Sequence, residues 1–215
     1  MGKKEQYAVC VFGAAFLLRQ FQNLEKDLDA AHNLTDIEPI HRLRVTSRRL
    51  RSGIKHFRDC LPEKKTSDFE DEIRRLAHAL GKARDLDIQI ETLNALYETK
   101  LDQNHKPGYR RLLLRLQQRR MKAQKKVTQT LREFQGKRIL HKMQKRFEET
   151  ASNAEEVYLF TPSLYKRAFS AINADLEDFI SYEKYLNAPD NMEKLHAMRI
   201  SGKHLRYSLE IFAPL

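Results

Sequence analysis

The main evidence for the fold is the stretch HRLRVTSRRLRSGIKHF at residues 41–57. A related stretch, HAMRISGKHLRYSLEIF, occupies residues 196–212. With an offset of 155 residues, the two stretches match at their histidine, basic and apolar positions. Ten chemically matched positions at one offset, two of them upstream of the stretches, are hard to obtain by chance. We infer a single domain of residues 1–215 with two related halves, 1–135 and 136–215.

Each repeat has the pattern of a helix with two distinct faces. With the histidine as origin, basic residues follow at +3, +7 and +10, which places them within roughly 80° of one face at about 100° per residue. The apolar residues at +2, +9, +13 and +16 fall on the opposite side. Like charges this close repel one another, so the pattern predicts an anion that neutralises them. The predicted binding residues are His41, Arg44, Arg48 and Arg51 in the first repeat and His196, Arg199, Lys203 and Arg206 in the second.

A third basic element lies between residues 110 and 146. It contains fourteen lysines and arginines and one acid, Glu133, and so contributes +13, while the rest of the chain nets −2. The predicted apolar stripe of this segment consists of Leu112, Leu116, Ala123, Val127, Leu131 and Phe134. A basic stripe beside it consists of Arg111, Arg115, Arg119, Lys122 and Lys126. A basic stripe that adjoins the core stripe is expected at a seam between helices, where a groove can form.

Helical patterns cover most of the chain, and no strand pattern competes with them. The expected helices are 5–32, 36–60, 66–81, 85–102, 108–135, 137–150, 162–186 and 190–213. Thr35 with Glu38, and Asp190 with Glu193, are candidate capping boxes at the starts of the two repeat helices. Short connections such as Lys106-Pro107-Gly108 favour antiparallel neighbours, so the sequence predicts an all-α fold of helical bundles.

The composition points to a polyanionic partner. The chain has 215 residues, 41% hydrophobic and 32% charged, a net charge of +11 and a pI near 9.6. These values are typical of a globular protein that binds nucleic acid, an acidic surface or a phosphate polymer. The apolar segment 7–18 is too short to span a bilayer and is predicted to be the buried part of a first helix. Cys10 and Cys60 show no metal-binding or disulfide pattern, which predicts no zinc site and a reducing compartment.

The repeat resembles the two signature helices of the CHAD family, named for a histidine-containing α-helical domain. The matching residues are His41-x-x-Arg44-Val45-x-x-Arg48-Arg49-Leu50-Arg51 and His196-x-x-Arg199-Ile200-x-x-Lys203-x-Leu205-Arg206-Tyr207. The segment Leu80-Gly81-Lys82-Ala83-Arg84-Asp85-Leu86-Asp87 is similar to the family's segment after the second long helix. The resemblance covers nearly the whole chain, but the second half has no counterpart of residues 80–87, which suggests a truncated C-terminal half.

This resemblance implies two four-helix bundles related by a pseudo-twofold axis, with a basic groove or pore between them. It also implies inorganic polyphosphate as the ligand, no catalytic turnover and no cofactor. A cytoplasmic protein, associated with polyphosphate granules, would fit that ligand. The acidic residues Asp175, Glu177 and Asp178 depart from the basic character expected there and could narrow the binding surface.

Two alternatives remain open from the residues alone. An RNA- or DNA-binding adaptor would use the same charges, although the basic stripes lack stacking aromatics apart from Tyr207. A metal-dependent phosphohydrolase would use His41, His196 and the carboxylates of Asp85 and Asp87, but two carboxylates without a third ligand make a weak metal site. A role for Asp85 or Asp87 as a helix N-cap fits the sequence better.

Overall fold

The structure is a computed structural model that describes residues 2–28, 30–32, 38–99, 103–152, 160–187 and 190–215. Across these ranges the chain forms helices and short helical turns and no strand, which confirms the all-α prediction. The α-helices are α1 Lys3–Leu28, α2 Glu38–His56, α3 Glu63–Thr99, α4 Lys106–Gln135, α5 Arg138–Ala151, α6 Pro162–Ile180 and α7 Met192–Phe212. In these ranges no helix is long and apolar enough to cross a membrane.

The helix α3 is one continuous helix, whereas the sequence predicted separate helices at 66–81 and 85–102. The predicted break at Gly81 is wrong because the buried side of the helix continues through it, with Leu80, Ala83 and Asp87 all buried. The prediction that Asp85 or Asp87 caps a helix is wrong for the same reason, since both lie in the interior of α3.

The start of α7 also differs from the prediction. Asn191 is the residue that precedes the first helical turn, and its side chain makes no capping hydrogen bond. The capping box of Asp190 with Glu193 is therefore wrong. Thr35, from the first predicted capping box, lies outside the described residues. A capped start occurs at α6 instead, where the side chain of Thr161 accepts a hydrogen bond from the backbone N–H of Leu164.

The first of two compact units consists of residues 1–19, 49–66 and 144–215. Its core contains an aromatic cluster in which the rings of Phe12, Phe57 and Phe212 lie about 6 Å apart, with Gly13 pressed against the Phe57 ring. Most of the apolar segment 7–18 is buried here or half-buried, as predicted for a first helix.

The cysteines of the same unit correct one expectation. Cys10 on α1 and Cys60 after α2 form a disulfide. No local pattern indicates this pair, because the two cysteines lie 50 positions apart and neither belongs to a recognisable motif. Unpaired cysteines were the basis for predicting a reducing compartment, so that basis is wrong and a cytoplasmic location stays a prediction.

The second compact unit consists of residues 20–48 and 67–143. Its apolar core includes Leu43 on α2, Phe21 and Phe69, whose rings lie 6.2 Å apart, and Phe134 on α4. The two units are defined by compactness, not by internal relatedness. The related halves 1–135 and 136–215, and the pseudo-twofold axis between them, stay predictions.

The second unit also encloses a charged pair. Arg120 of α4 and Asp87 of α3 are 7% and 5% exposed, and Nε of Arg120 lies 2.5 Å from Oδ1 of Asp87. Nη1 of Arg120 donates to the side-chain oxygen of Gln124, which in turn donates through Nε2 to the backbone oxygen of Ala31. These bonds join α3 and α4 to the helical turn at Ala30–His32 through polar contacts on the buried side of α4.

Candidate polyanion-binding surface

Three residues of the basic face of α2 belong to the second unit. His41 is exposed, and Arg44 and Arg48 are half-buried at the helix surface. The apolar residues Leu43 and Leu50 are fully buried on the other side, which confirms the predicted division of the helix. Arg44 donates from Nη1 to Oδ1 of Asp85 on α3 across 3.2 Å, so one side chain of this face is held by a neighbouring helix.

In the first unit, the end of α2 lies beside α7. Arg49 of α2 donates from Nε to Oε2 of Glu210 across 2.7 Å, and Nε of Arg206 lies 3.4 Å from the other oxygen of the same carboxylate. Glu210 therefore forms ion pairs with one arginine from each repeat helix. Sequence reasoning missed Arg49, because its angle on the wheel lies outside the basic arc. Arg51, which was predicted, is exposed.

The face of α7 is less regular than predicted. His196, Arg199 and Arg206 are exposed and Lys203 is half-buried, so the basic face is at the surface. Leu209, expected in the core, is 48% exposed.

The buried side of α7 includes Ser201 and Ser208, although the pattern predicted that Leu205 and Leu209 would face the core. Ser201 donates to Asp178 and Ser208 donates to Asp175, each across 2.5 Å. These bonds explain the acidic residues at 175 and 178, which support the packing of α6 on α7.

The predicted basic stripe of α4 is at the surface, and its place at a seam or groove between helices stays a prediction. Its five side chains are all exposed: Arg111, Arg115, Arg119, Lys122 and Lys126. The adjoining core stripe is buried at Leu116, Val127, Leu131 and Phe134, but the prediction is wrong at Leu112, which is 45% exposed. The stripe lies at the edge of the buried face of α4, within the second unit.

Most of the predicted binding residues lack an acidic partner. Within the described ranges, no carboxylate lies at ion-pair distance from His41, Arg48, Arg51, His196, Arg199 or any of the five stripe residues of α4. Some basic residues off these faces are paired, such as Arg42 with Asp27 and Arg75 with Glu72. Among the face residues, Arg44 and Arg206 each pair with a carboxylate, whereas the ten residues named above have no such partner in the described ranges.

The two carboxylates considered as metal ligands are hydrogen-bonded to arginines. Asp85 accepts from Arg44 and Asp87 accepts from Arg120. Across the described part of the chain, no three histidine, cysteine, aspartate or glutamate side chains are grouped as metal ligands would be. The predicted groove common to both repeats and α4 involves both compact units and stays a prediction.

Two titrating groups of the first unit are shifted by their surroundings. Burial lowers the pKa of His56, whose Nε2 lies 2.8 Å from the hydroxyl of Ser208, so this histidine belongs to the packing of α2 with α7. The hydrogen bond from Arg167 lowers the pKa of Asp59 to about 2, with a further contribution from the side-chain hydrogen bond of Gln6.

The helical fold and the basic side chains exposed on α2, α4 and α7 define an all-α domain with a basic surface. The chain matches the CHAD domain over residues 15–215 and belongs to the CHAD family. This confirms the resemblance seen in the two repeat helices.

Two solved structures are similar in fold. The CHAD domain from the plant Ricinus communis superposes with a TM-score of 0.71 at 22% identity, over 96% of this chain and 66% of that chain. PptA from Streptomyces chartreusis superposes with a TM-score of 0.67 at 18% identity, over 94% of this chain and 74% of that chain. The chain thus spans about two thirds to three quarters of the length of these neighbours. No curated protein matches it in sequence.

Proposed function

We propose that this protein binds inorganic polyphosphate, without turning it over, on the basic faces of α2, α4 and α7. One observation carries the proposal. Ten of the predicted binding side chains have no carboxylate partner in the described ranges, although carboxylates pair with basic residues close beside them. Clustered cations without internal partners favour an external polyanion, and membership of the CHAD family agrees with that ligand.

The chemistry of the faces suits phosphate. Arginine offers a planar set of N–H donors that pairs with two phosphate oxygens, and lysine offers a compact charge. His41 and His196, both exposed, add a hydrogen bond when neutral and a charge when protonated. Polyphosphate carries about one negative charge per unit and lacks bases and sugars, so it requires charge and donors but no stacking surface.

The aromatic residues next to the basic faces support polyphosphate over single-stranded nucleic acid, which needs exposed rings for stacking beside its phosphates. Tyr207 is 5% exposed, and the guanidinium of Arg206 lies 5.1 Å from the centre of its ring. Tyr97, near the end of α3, has Lys106 and Arg110 within 6 Å of its ring centre. These rings are occupied by packing or by the protein's own cations. The nucleic-acid adaptor therefore ranks second.

The absence of turnover is part of the proposal. Asp85 and Asp87 each accept a hydrogen bond from an arginine, as structural carboxylates do. A phosphohydrolase built on them would have to give up the contact that holds Arg44 or the buried pair of Arg120. Phosphate release from polyphosphate, measured with Mg²⁺ and with a chelator, should stay at the rate without protein.

The test is a titration of the whole chain with long-chain polyphosphate at physiological salt, with RNA as a competitor. Arg44→Ala with Arg199→Ala should weaken binding by tens-fold or more, because a hydrogen bond to a charged group contributes about 1.5–3 kcal/mol. The matched control, Arg138→Ala with Lys142→Ala, removes the same charge from exposed positions of α5 outside the three faces. It should weaken binding only a few-fold.

Two results would reject the proposal. Equal losses in the two double variants would mean that binding follows net charge alone and that no defined surface exists. Stronger competition by RNA than by polyphosphate of equal charge would favour the adaptor. Circular dichroism on each variant checks that the helices persist, since all four side chains lie at the surface or half-buried.

A further inference from the structure

The guanidinium group of Arg44 is held in place by α3 within the second unit. Nη1 of Arg44 lies 3.2 Å from Oδ1 of Asp85, which is 41 residues further along the chain. The Arg44 side chain is 22% exposed and that of Asp85 is 63% exposed. The arginine thus lies along the surface of α3 while its carboxylate partner remains in contact with water.

Gly81 provides the space in which this guanidinium lies. A Cβ atom placed on Gly81 would stand 3.0 Å from Nη1 of Arg44 and 3.7 Å from its Cζ. Gly81 and Asp85 are four residues apart, so they lie on the same face of α3, one turn from each other. Glycine is a poor residue for the interior of a helix, and this close approach gives it a reason to be there.

Asp85 leaves most of the Arg44 donors free. A guanidinium has five N–H donors, and the contact with Asp85 uses Nη1 alone. Arg42 on the same helix is different, because Asp27 accepts from both its Nε and its Nη2, at 2.9 Å and 2.7 Å. That pair occupies the Nε–Nη2 edge of the guanidinium, one of the two edges that can bind phosphate. On Arg44 the contact with Asp85 leaves this edge open.

We propose that Gly81 and Asp85 act as positioning residues that hold Arg44 ready to donate to a phosphate group. The inference rests on the proposed polyphosphate function and assigns part of its affinity to two residues that do not themselves bind phosphate. An arginine that is already ordered loses less side-chain entropy when the ligand binds. Neighbouring polar groups that fix the orientation of a binding side chain act in this way at many sites.

The decisive test is a substitution for which net charge and positioning predict opposite results. Asp85→Asn and Asp68→Asn each raise the net charge by one, and Asp68 is an exposed residue near the start of the same helix. If charge alone governs binding, both variants bind polyphosphate as tightly as the wild type or more tightly. If Asp85 positions Arg44, Asp85→Asn binds about three- to tenfold more weakly, while Asp68→Asn is unchanged or slightly tighter.

Two further variants separate positioning from a general effect on the fold. Gly81→Ala should raise the melting temperature by about 2–4 °C, because alanine favours the helix, yet it should weaken binding because its Cβ displaces the guanidinium. Asp85→Asn added to Arg44→Ala should cause no further loss, since the side chain that it positions is gone. Asp85→Glu, whose carboxylate can still reach the guanidinium, should bind polyphosphate more tightly than Asp85→Asn does.

The outcomes distinguish the two proposals. If the wild type does not bind polyphosphate, the proposed function fails and the positioning role fails with it. If the wild type binds and Asp85→Asn binds as well as Asp68→Asn does, the positioning role is overturned while the proposed function stands. A loss of affinity on Asp85→Asn that persists in the absence of Arg44 would likewise overturn it.

Discussion

The buried pair of Arg120 and Asp87 allows a quantitative prediction about stability. Arg120→Met keeps most of the side-chain volume but removes the donor at 2.5 Å from Asp87 Oδ1. Asp87 is 5% exposed, and no donor in the described ranges reaches its other oxygen. Loss of one partner from a buried pair costs about 3–5 kcal/mol, because the remaining charge is buried without compensation. For a chain of this size we expect a fall in melting temperature of roughly 6–20 °C.

The control and the rescue use the same assay, a thermal melt followed by circular dichroism. Arg74→Met removes an exposed arginine that pairs with Asp71 on the same helix, and it should change the free energy of unfolding by less than about 1 kcal/mol. Arg120→Met combined with Asp87→Leu should recover most of the loss, since well-packed apolar residues can replace a buried pair. A cost below about 1 kcal/mol for Arg120→Met alone would refute the reasoning.

Three further predictions concern the first unit and the ligand. Cys10→Ser with Cys60→Ser should lower the stability by about 4 kcal/mol in the chain-entropy treatment of a loop spanning 50 residues, measured by urea unfolding. Arg167 depresses the pKa of Asp59 from 3.8 to about 2, so this carboxylate contributes stability above pH 4 that is lost as the pH falls towards 2. Asp59→Asn should reduce the fall in melting temperature between pH 4 and pH 2. An unchanged plot of melting temperature against pH would contradict the role given to Asp59. The logarithm of the binding constant for polyphosphate should fall linearly with the logarithm of the salt concentration, which fluorescence titrations can measure.

Periodicity was sufficient to predict which face of α2, the first repeat helix, is buried. An apolar side chain has one strong preference, which is to leave water, so the regular spacing of Leu43, Leu50, Ile54 and Phe57 fixed the orientation of α2. The five-residue basic stripe of α4 followed from the same wheel. These features depend only on residues close together in the sequence.

The errors arose where a distant residue changes the meaning of a local signal. Gly81 was read as a helix break, but its role depends on Arg44, 37 positions earlier. Arg120 was not separated from the exposed cations of its segment because its partner, Asp87, lies on another helix. Leu209 was placed in the core because nothing local indicates that Ser208 reaches Asp175. Each case requires a tertiary contact that a single sequence does not reveal.

The interleaved segments of the two compact units have a consequence for synthesis on the ribosome. The unit of residues 20–48 and 67–143 is complete once the first six residues of α5 have emerged, whereas the other unit needs residues 144–215 before it can close. Until then the apolar side of α1, with Val9, Val11 and Leu17, has only the short segment 49–66 of its own unit to cover it. We therefore expect the nascent chain to keep the apolar side of α1 exposed until residues 144–215 have been synthesised, which makes it a substrate for chaperones that bind exposed apolar helices.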